Sequence, residues 1–150
     1  MLRIVLLDLL LAALLFVGNY RWLHYTNLTY GVSCDYPQVF TSLKPLSEQD
    51  YGYDFSTDRG EATLTVSGFR VLAHMPDLMR MSMGQVFKYE VARIDDHGFE
   101  FSGTLDRVTH FKRCDHGSED IVGCVEMLYP AGNPTWSAAA ARISQSLRVN

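Results

Sequence analysis

Four of the six methionines of this 150-residue chain fall in one short run, "HMPDLMRMSM", from His74 to Met83. Met75, Met79 and Met83 are spaced i, i+4, i+8, so a helix would align their thioethers on one face beside the imidazole of His74. Soft sulfur donors with an imidazole select Cu(I), and the same row left in solvent would make an adaptable docking surface. A third reading needs only packing: a short helix starting at Pro76 with methionines and Leu78 turned into a core. A second cluster is Cys114, His116 and Cys124. C-x-H with one further cysteine is not a zinc spacing. A disulfide between Cys114 and Cys124 is expected instead, because one ends a strand-like run and the other begins the next, which sets them opposite each other. Cys34 alternates with Val32 and Tyr36 and reads as a buried free thiol.

Motifs for catalysis are missing. The sequence holds no G-x-S-x-G elbow, H-E-x-x-H, Walker loop or G-x-G-x-x-G. His24, His74, His97, His110 and His116 share no ligand spacing, and the acidic pairs Asp95–Asp96 and Glu119–Asp120 sit in turn-like stretches where aspartate caps backbone. No enzyme activity, cofactor or metal is expected from these residues. Nucleic acid is an unsuitable partner too. Net charge is −4, and beyond the first 25 residues 11 basic side chains face 16 acidic ones with no Lys/Arg cluster among them.

These groups must be positioned by two kinds of segment. From Ile4 to Gly18 the chain is apolar apart from Asp8, with Arg3 before it and Tyr20, Trp22 and Tyr25 around Arg21 after it. As a helix, Leu2 to Trp22 spans about 31 Å, one hydrocarbon thickness. Aromatics beside an arginine suit the membrane–water interface. A cleaved export signal shares the basic start and short apolar core, but no small-x-small cleavage site follows, so residues 1–25 read as a retained single-span anchor. Arg3 is then inside, and residues 26–150 form an extracytoplasmic domain held at the inner (cytoplasmic) membrane. Asp8, Ala12, Leu15 and Asn19 share one helix face. A carboxylate there costs about 2.5–3.5 kcal/mol at mid-membrane, less near the surface. Polar and small residues are what membrane helices use to associate, so this face is the expected contact with an integral membrane protein.

Beyond the anchor, strand signals dominate. "GVSCDYP" and "ATLTVSG" alternate apolar and polar residues. "VFKYEVARI" and "GFEFSG" flank "DDHG" as a hairpin, and "DRVTHFKRC" and "CVEMLYP" flank a longer loop as a second one. "NPTWSAAAARISQSLRV" reads as a helix starting at Pro134 or Thr135, with Trp136, Ala140, Ile143 and Leu147 as its buried stripe. Hairpins closed by a terminal helix predict an α+β domain with a mainly antiparallel sheet.

The order "YGVSCDYPQVF", "ATLTVSG", "GFEFSG", "HFKRC", "EMLYPAGNPTWSAAAARISQSLRV" over residues 30–148 resembles the Mog1/PsbP-like fold group, which includes bacterial exported members of unknown function. The resemblance implies an antiparallel sheet sandwiched by helices. It also implies a non-catalytic role, since known members are mostly extrinsic subunits of photosynthetic complexes, a small-GTPase-binding protein and envelope lipoproteins. No lipoprotein cysteine follows the apolar run here, so the anchor would have to be the helix itself. The expected function is an accessory or assembly subunit of a larger membrane complex, with a respiratory or photosynthetic one as the analogy. The alternative is a free-standing envelope module binding a small ligand, or Cu(I) through His74–Met83.

Overall fold

The computed structural model describes residues 20–47, 51–84 and 88–150. Among these, ten strands and two helices follow in the order β1 (Trp22–Asn27), β2 (Val32–Pro37), β3 (Phe40–Pro45), β4 (Gly52–Thr57), β5 (Thr63–Arg70), α1 (Met75–Ser82), β6 (Lys88–Asp95), β7 (Gly98–Leu105), β8 (Val108–His116), β9 (Ile121–Pro130), α2 (Pro134–Ser146) and β10 (Arg148–Val149). They form a seven-stranded sheet, β3-β4-β5-β9-β8-β7-β6, and a three-stranded one, β1-β2-β10. Every pairing is antiparallel.

β9 lies at the centre of the larger sheet and is covered on both faces, so residues 121–125 are buried without alternation. On one face Leu64, Val66, Phe111, Val125 and Met127 meet α2 and the small sheet. On the other, Phe99, Phe101, Val122 and the two bonded cysteines meet α1. β5 shows the cost of being covered on one side only: Leu64 and Val66 are buried while Thr63, Thr65 and Ser67 between them stay half-exposed. The expected sheet between helices is therefore right in outline and incomplete in detail, because a second sheet shares one face with α2.

α2 begins where the sequence predicts. The Asn133 side chain accepts the amides of Thr135 and Trp136 at 3.0 and 3.2 Å, and Pro134 occupies the first turn, where no amide is needed. Trp136, Ala139, Ala140 and Ile143 are buried, with Leu147 following just past the helix. β10 then pairs with β2, tying the C-terminal segment into the small sheet.

The small sheet starts ahead of the domain boundary expected at residue 26. Trp22 pairs with Pro37 and Tyr25 with Cys34, and both rings pack against the main core. Trp22 also lies beneath the Arg142 guanidinium, 3.9 Å from its ring centre. These two aromatics thus have a place in the folded domain itself; Tyr20 stands just before the strand. Among the described residues no helix is long and apolar enough to cross a membrane.

Candidate functional site

The methionine run does fold as a short helix, and its row points inward. Met75 is 2% exposed, Leu78 is buried, and Met79 and Met83 pack partly buried against the same cluster, over Phe99, Phe101 and the disulfide. Met75 is thus part of the core, while Met79 and Met83 are covered only in part. His74 is exposed at the helix start while the thioether of Met75 is in the core, so the two do not face one ligand. Met81, at 80% exposure, is turned to solvent.

Cys114 and Cys124 are paired in register across β8 and β9 and joined as a disulfide. Both are almost fully buried beneath α1. Their sulfurs are bonded to each other, which removes the thiolates a Cys114–His116–Cys124 metal site would need. Cys34 is free and buried, and burial, with the neighbouring Asp35 charge adding to it, pushes its thiol up to about 12. It is inert as a nucleophile in the folded protein.

Beside α1 a polar chain crosses the sheet. The amide of Gly84 donates to Tyr89 Oη, which lies 2.9 Å from His110 Nδ1, and His110 Nε2 lies 2.6 Å from Glu126 Oε1. Lys112 Nζ donates to Glu126 Oε2 at 3.0 Å. Burial pushes the Glu126 carboxyl up, but the hydrogen bonds from His110 and Lys112 and their charges outweigh it and hold the group at about 2. A carboxylate orienting an imidazole is a catalytic arrangement when the far side of the ring meets substrate. Here the far side meets Tyr89, and His110 is 6% exposed, so the chain ties strands β6, β8 and β9 to the end of α1.

A concave site lies elsewhere, at a step in the sheet. β4 begins only at Gly52, opposite Ser67, while β5 continues past that point to Arg70. The notch so left is a cavity of about 430 Å³ lined by Tyr30, Leu46, Tyr51, Ser67, Phe69 and Arg70. Two glycines allow its aromatic wall. A Cβ on Gly68 would lie 2.5 Å from that of Tyr30, and Gly52, at φ +147°, would place one 1.9 Å from the carbonyl oxygen of Val66. Asn27 Oδ1 accepts the amides of Thr29 and Tyr30, fixing the turn, and the amide of Gly68 donates to the carbonyl of Tyr51 at 2.7 Å. The Tyr30 and Tyr51 rings end 5.9 Å apart, tilted by 32°. Arg70 stands at the rim, donating to the backbone oxygen of Glu119 at 3.0 Å and to its carboxylate at 3.3 Å.

None of these six residues is singled out by motif. A glycine inside the alternating run of β5 was the available signal, since it marks a place where something lies directly on the strand. A second, more polar cavity of about 310 Å³ gathers Arg93, His97, Asp115, His116 and Arg148 at the end of β8. Its charges are largely spent within the protein: Asp115 is paired with both Arg93 and Arg113, and Arg148 donates to the carbonyls of Gln145 and Leu147. Asp8, Ala12, Leu15 and Asn19, the expected membrane-helix contact, lie outside the described residues.

Among solved structures, the solution structure of cyanobacterial PsbP (CyanoP) from Synechocystis sp. PCC 6803 matches with a TM-score of 0.61 at 12% identity, covering 89% of this chain and 95% of that one. A crystal structure from Bacteroides thetaiotaomicron matches at a TM-score of 0.45 and 12% identity, over 79% of this chain and 45% of that one. No protein-family profile matches the chain, and no curated protein does. The fold is thus PsbP-like, an α+β arrangement of antiparallel sheets with, among the described residues, two helices and a Cys114–Cys124 disulfide.

Proposed function

We propose that this chain is a membrane-anchored, extracytoplasmic accessory subunit that binds and stabilises a larger membrane protein complex and performs no catalysis itself. The observation that carries the reading is the PsbP-like fold, which aligns with nearly the whole length of CyanoP; the group it resembles works mainly by binding other macromolecules. Two features support the location. The apolar N-terminal segment is long enough to span a bilayer as a helix. A disulfide buried in the sheet suits an oxidising compartment outside the cytoplasm. The face of Asp8, Ala12, Leu15 and Asn19 supplies the contact with an integral membrane partner, and a respiratory or photosynthetic complex is the assembly suggested by analogy.

The test is purification of the tagged full chain from its own membranes in mild detergent, with mass spectrometry of the intact chain and of what accompanies it. The proposal predicts an uncleaved N-terminus and an integral membrane protein in fixed stoichiometry. A processed N-terminus on a partner-free monomer refutes it. The small-ligand reading has one observation in its favour, the aromatic notch beside β5; its Cu(I) form does not, because Met75 is in the core.

A further inference from the structure

We propose that the notch beside the start of β4 binds a small planar aromatic carboxylate, with the ring against Tyr30 and Tyr51 and the carboxylate on Arg70. The inference goes beyond the accessory role and rests on the notch alone, so either can fail without the other.

Size comes first. A cavity of about 430 Å³ lies within the range of small-molecule sites, and such sites pair mostly apolar walls with a few polar groups that fix orientation. Here the wall is formed by the Tyr30 and Tyr51 rings, and the polar group beside them is the Arg70 guanidinium. Flat rings set 5.9 Å apart favour a flat guest, which gains edge or offset contacts that an aliphatic one of equal volume does not.

Charge decides the rest of the ligand. Among the described residues of the lining Arg70 is the charged side chain, and the guest complementary to it is an anion. Its present partner, the Glu119 carboxylate, is held at 3.3 Å with both side chains mostly in solvent. Such exposed pairs contribute little and exchange readily. A ligand carboxylate can accept from the guanidinium at two points, which is the stronger interaction. The Glu119 carbonyl, at 3.0 Å from Arg70 Nη1, remains a partner for the guanidinium when the Glu119 side chain leaves.

The wall is also set before any ligand arrives. The Asn27 turn, the Gly68–Tyr51 backbone bond and the two close-approach glycines fix Tyr30 and Tyr51. Binding then spends little on ordering side chains, so a small guest can be held with useful affinity.

The probe is naphthoate, measured by equilibrium dialysis against the full chain in lipid nanodiscs, with empty nanodiscs subtracted. The proposal predicts saturable binding at one site per chain with Kd below about 1 mM. Arg70→Gln, a change at an exposed side chain that leaves the fold intact, should raise that Kd about tenfold or more. The same variant should leave the weaker binding of uncharged naphthol within about twofold, while Tyr51→Ala weakens both. No saturable naphthoate binding overturns the proposal. So does an Arg70→Gln variant that binds naphthoate as well as the parent, or cyclohexanecarboxylate bound as tightly as naphthoate.

Discussion

Replacing Glu126 by glutamine keeps the shape of the side chain and removes its charge, and the structure sets how much that should cost. The carboxyl is held at about 2 against an ordinary 4.5. Taken whole, that difference is worth roughly 3 kcal/mol. A third of the side chain remains in solvent, and screening there lowers the figure to about 2 kcal/mol. The sign follows from which form the fold prefers. A carboxyl whose folded value lies below its unfolded one stabilises the protein fully above the unfolded value, and that contribution is lost as the pH falls through the folded value. Glu126→Gln should therefore unfold about 2 kcal/mol more easily than the parent at pH 7, with the gap unchanged down to about pH 4.5 and closing toward pH 2. Lys112, mostly buried, loses its partner in the variant and adds to the cost at neutral pH. Urea unfolding followed by tryptophan fluorescence, with Trp136 buried in the core, measures the gap at several pH values. Equal stabilities at pH 7, or a gap that does not close in acid, would refute the assignment of this stabilisation to the Glu126 charge.

Further outcomes follow from burial. Met75→Ala should cost about 2–4 kcal/mol and Met81→Ala less than about 0.5 kcal/mol in the same denaturation assay, because one side chain is in the core and the other in solvent. Replacing Cys114 and Cys124 together by alanine should lower stability by about 2–3 kcal/mol, read from the shift in urea midpoint. Cys34 should resist iodoacetamide in the native protein and react at once in denaturant, seen as one added adduct by mass. Asn133→Ala, which removes the acceptor for two first-turn amides of α2, should cost about 1 kcal/mol in a thermal melt.

The parts of this fold that sequence patterns reveal are those whose burial alternates or is capped. β5 shows Leu64 and Val66 between hydroxyl residues, the two hairpins carry turn residues, and α2 follows Asn133-Pro134 with a buried stripe. The Cys114–Cys124 pairing was legible for the same reason, since hairpin register places the two residues opposite each other. β3 was not legible, because as an edge strand it buries Phe40 and leaves the other five residues exposed. β4 starts at a glycine, and Tyr53 and Phe55 are too few apolar residues to mark a strand. β1 was obscured by its position: Trp22 and Tyr25 directly follow an apolar segment, where aromatics also suit a membrane interface. The notch draws Tyr30, Leu46, Tyr51 and Arg70 from turns, strand ends and separate stretches of chain, and no local spacing announces such a meeting. The methionine row misleads in a simpler way, since i, i+4 spacing gives a face without saying which way it turns.

The central claim is that the N-terminal segment holds this domain in a membrane complex, and substitution of Asp8 addresses it most directly. Membranes carrying the parent chain or Asp8→Leu are solubilised in mild detergent and resolved on a native gel, with the chain detected by antibody. The proposal predicts a band far larger than the monomer for the parent, and release of the chain from that band, with membrane attachment retained, for Asp8→Leu. A parent chain that runs as a monomer, or a complex unaffected by Asp8→Leu, would contradict it.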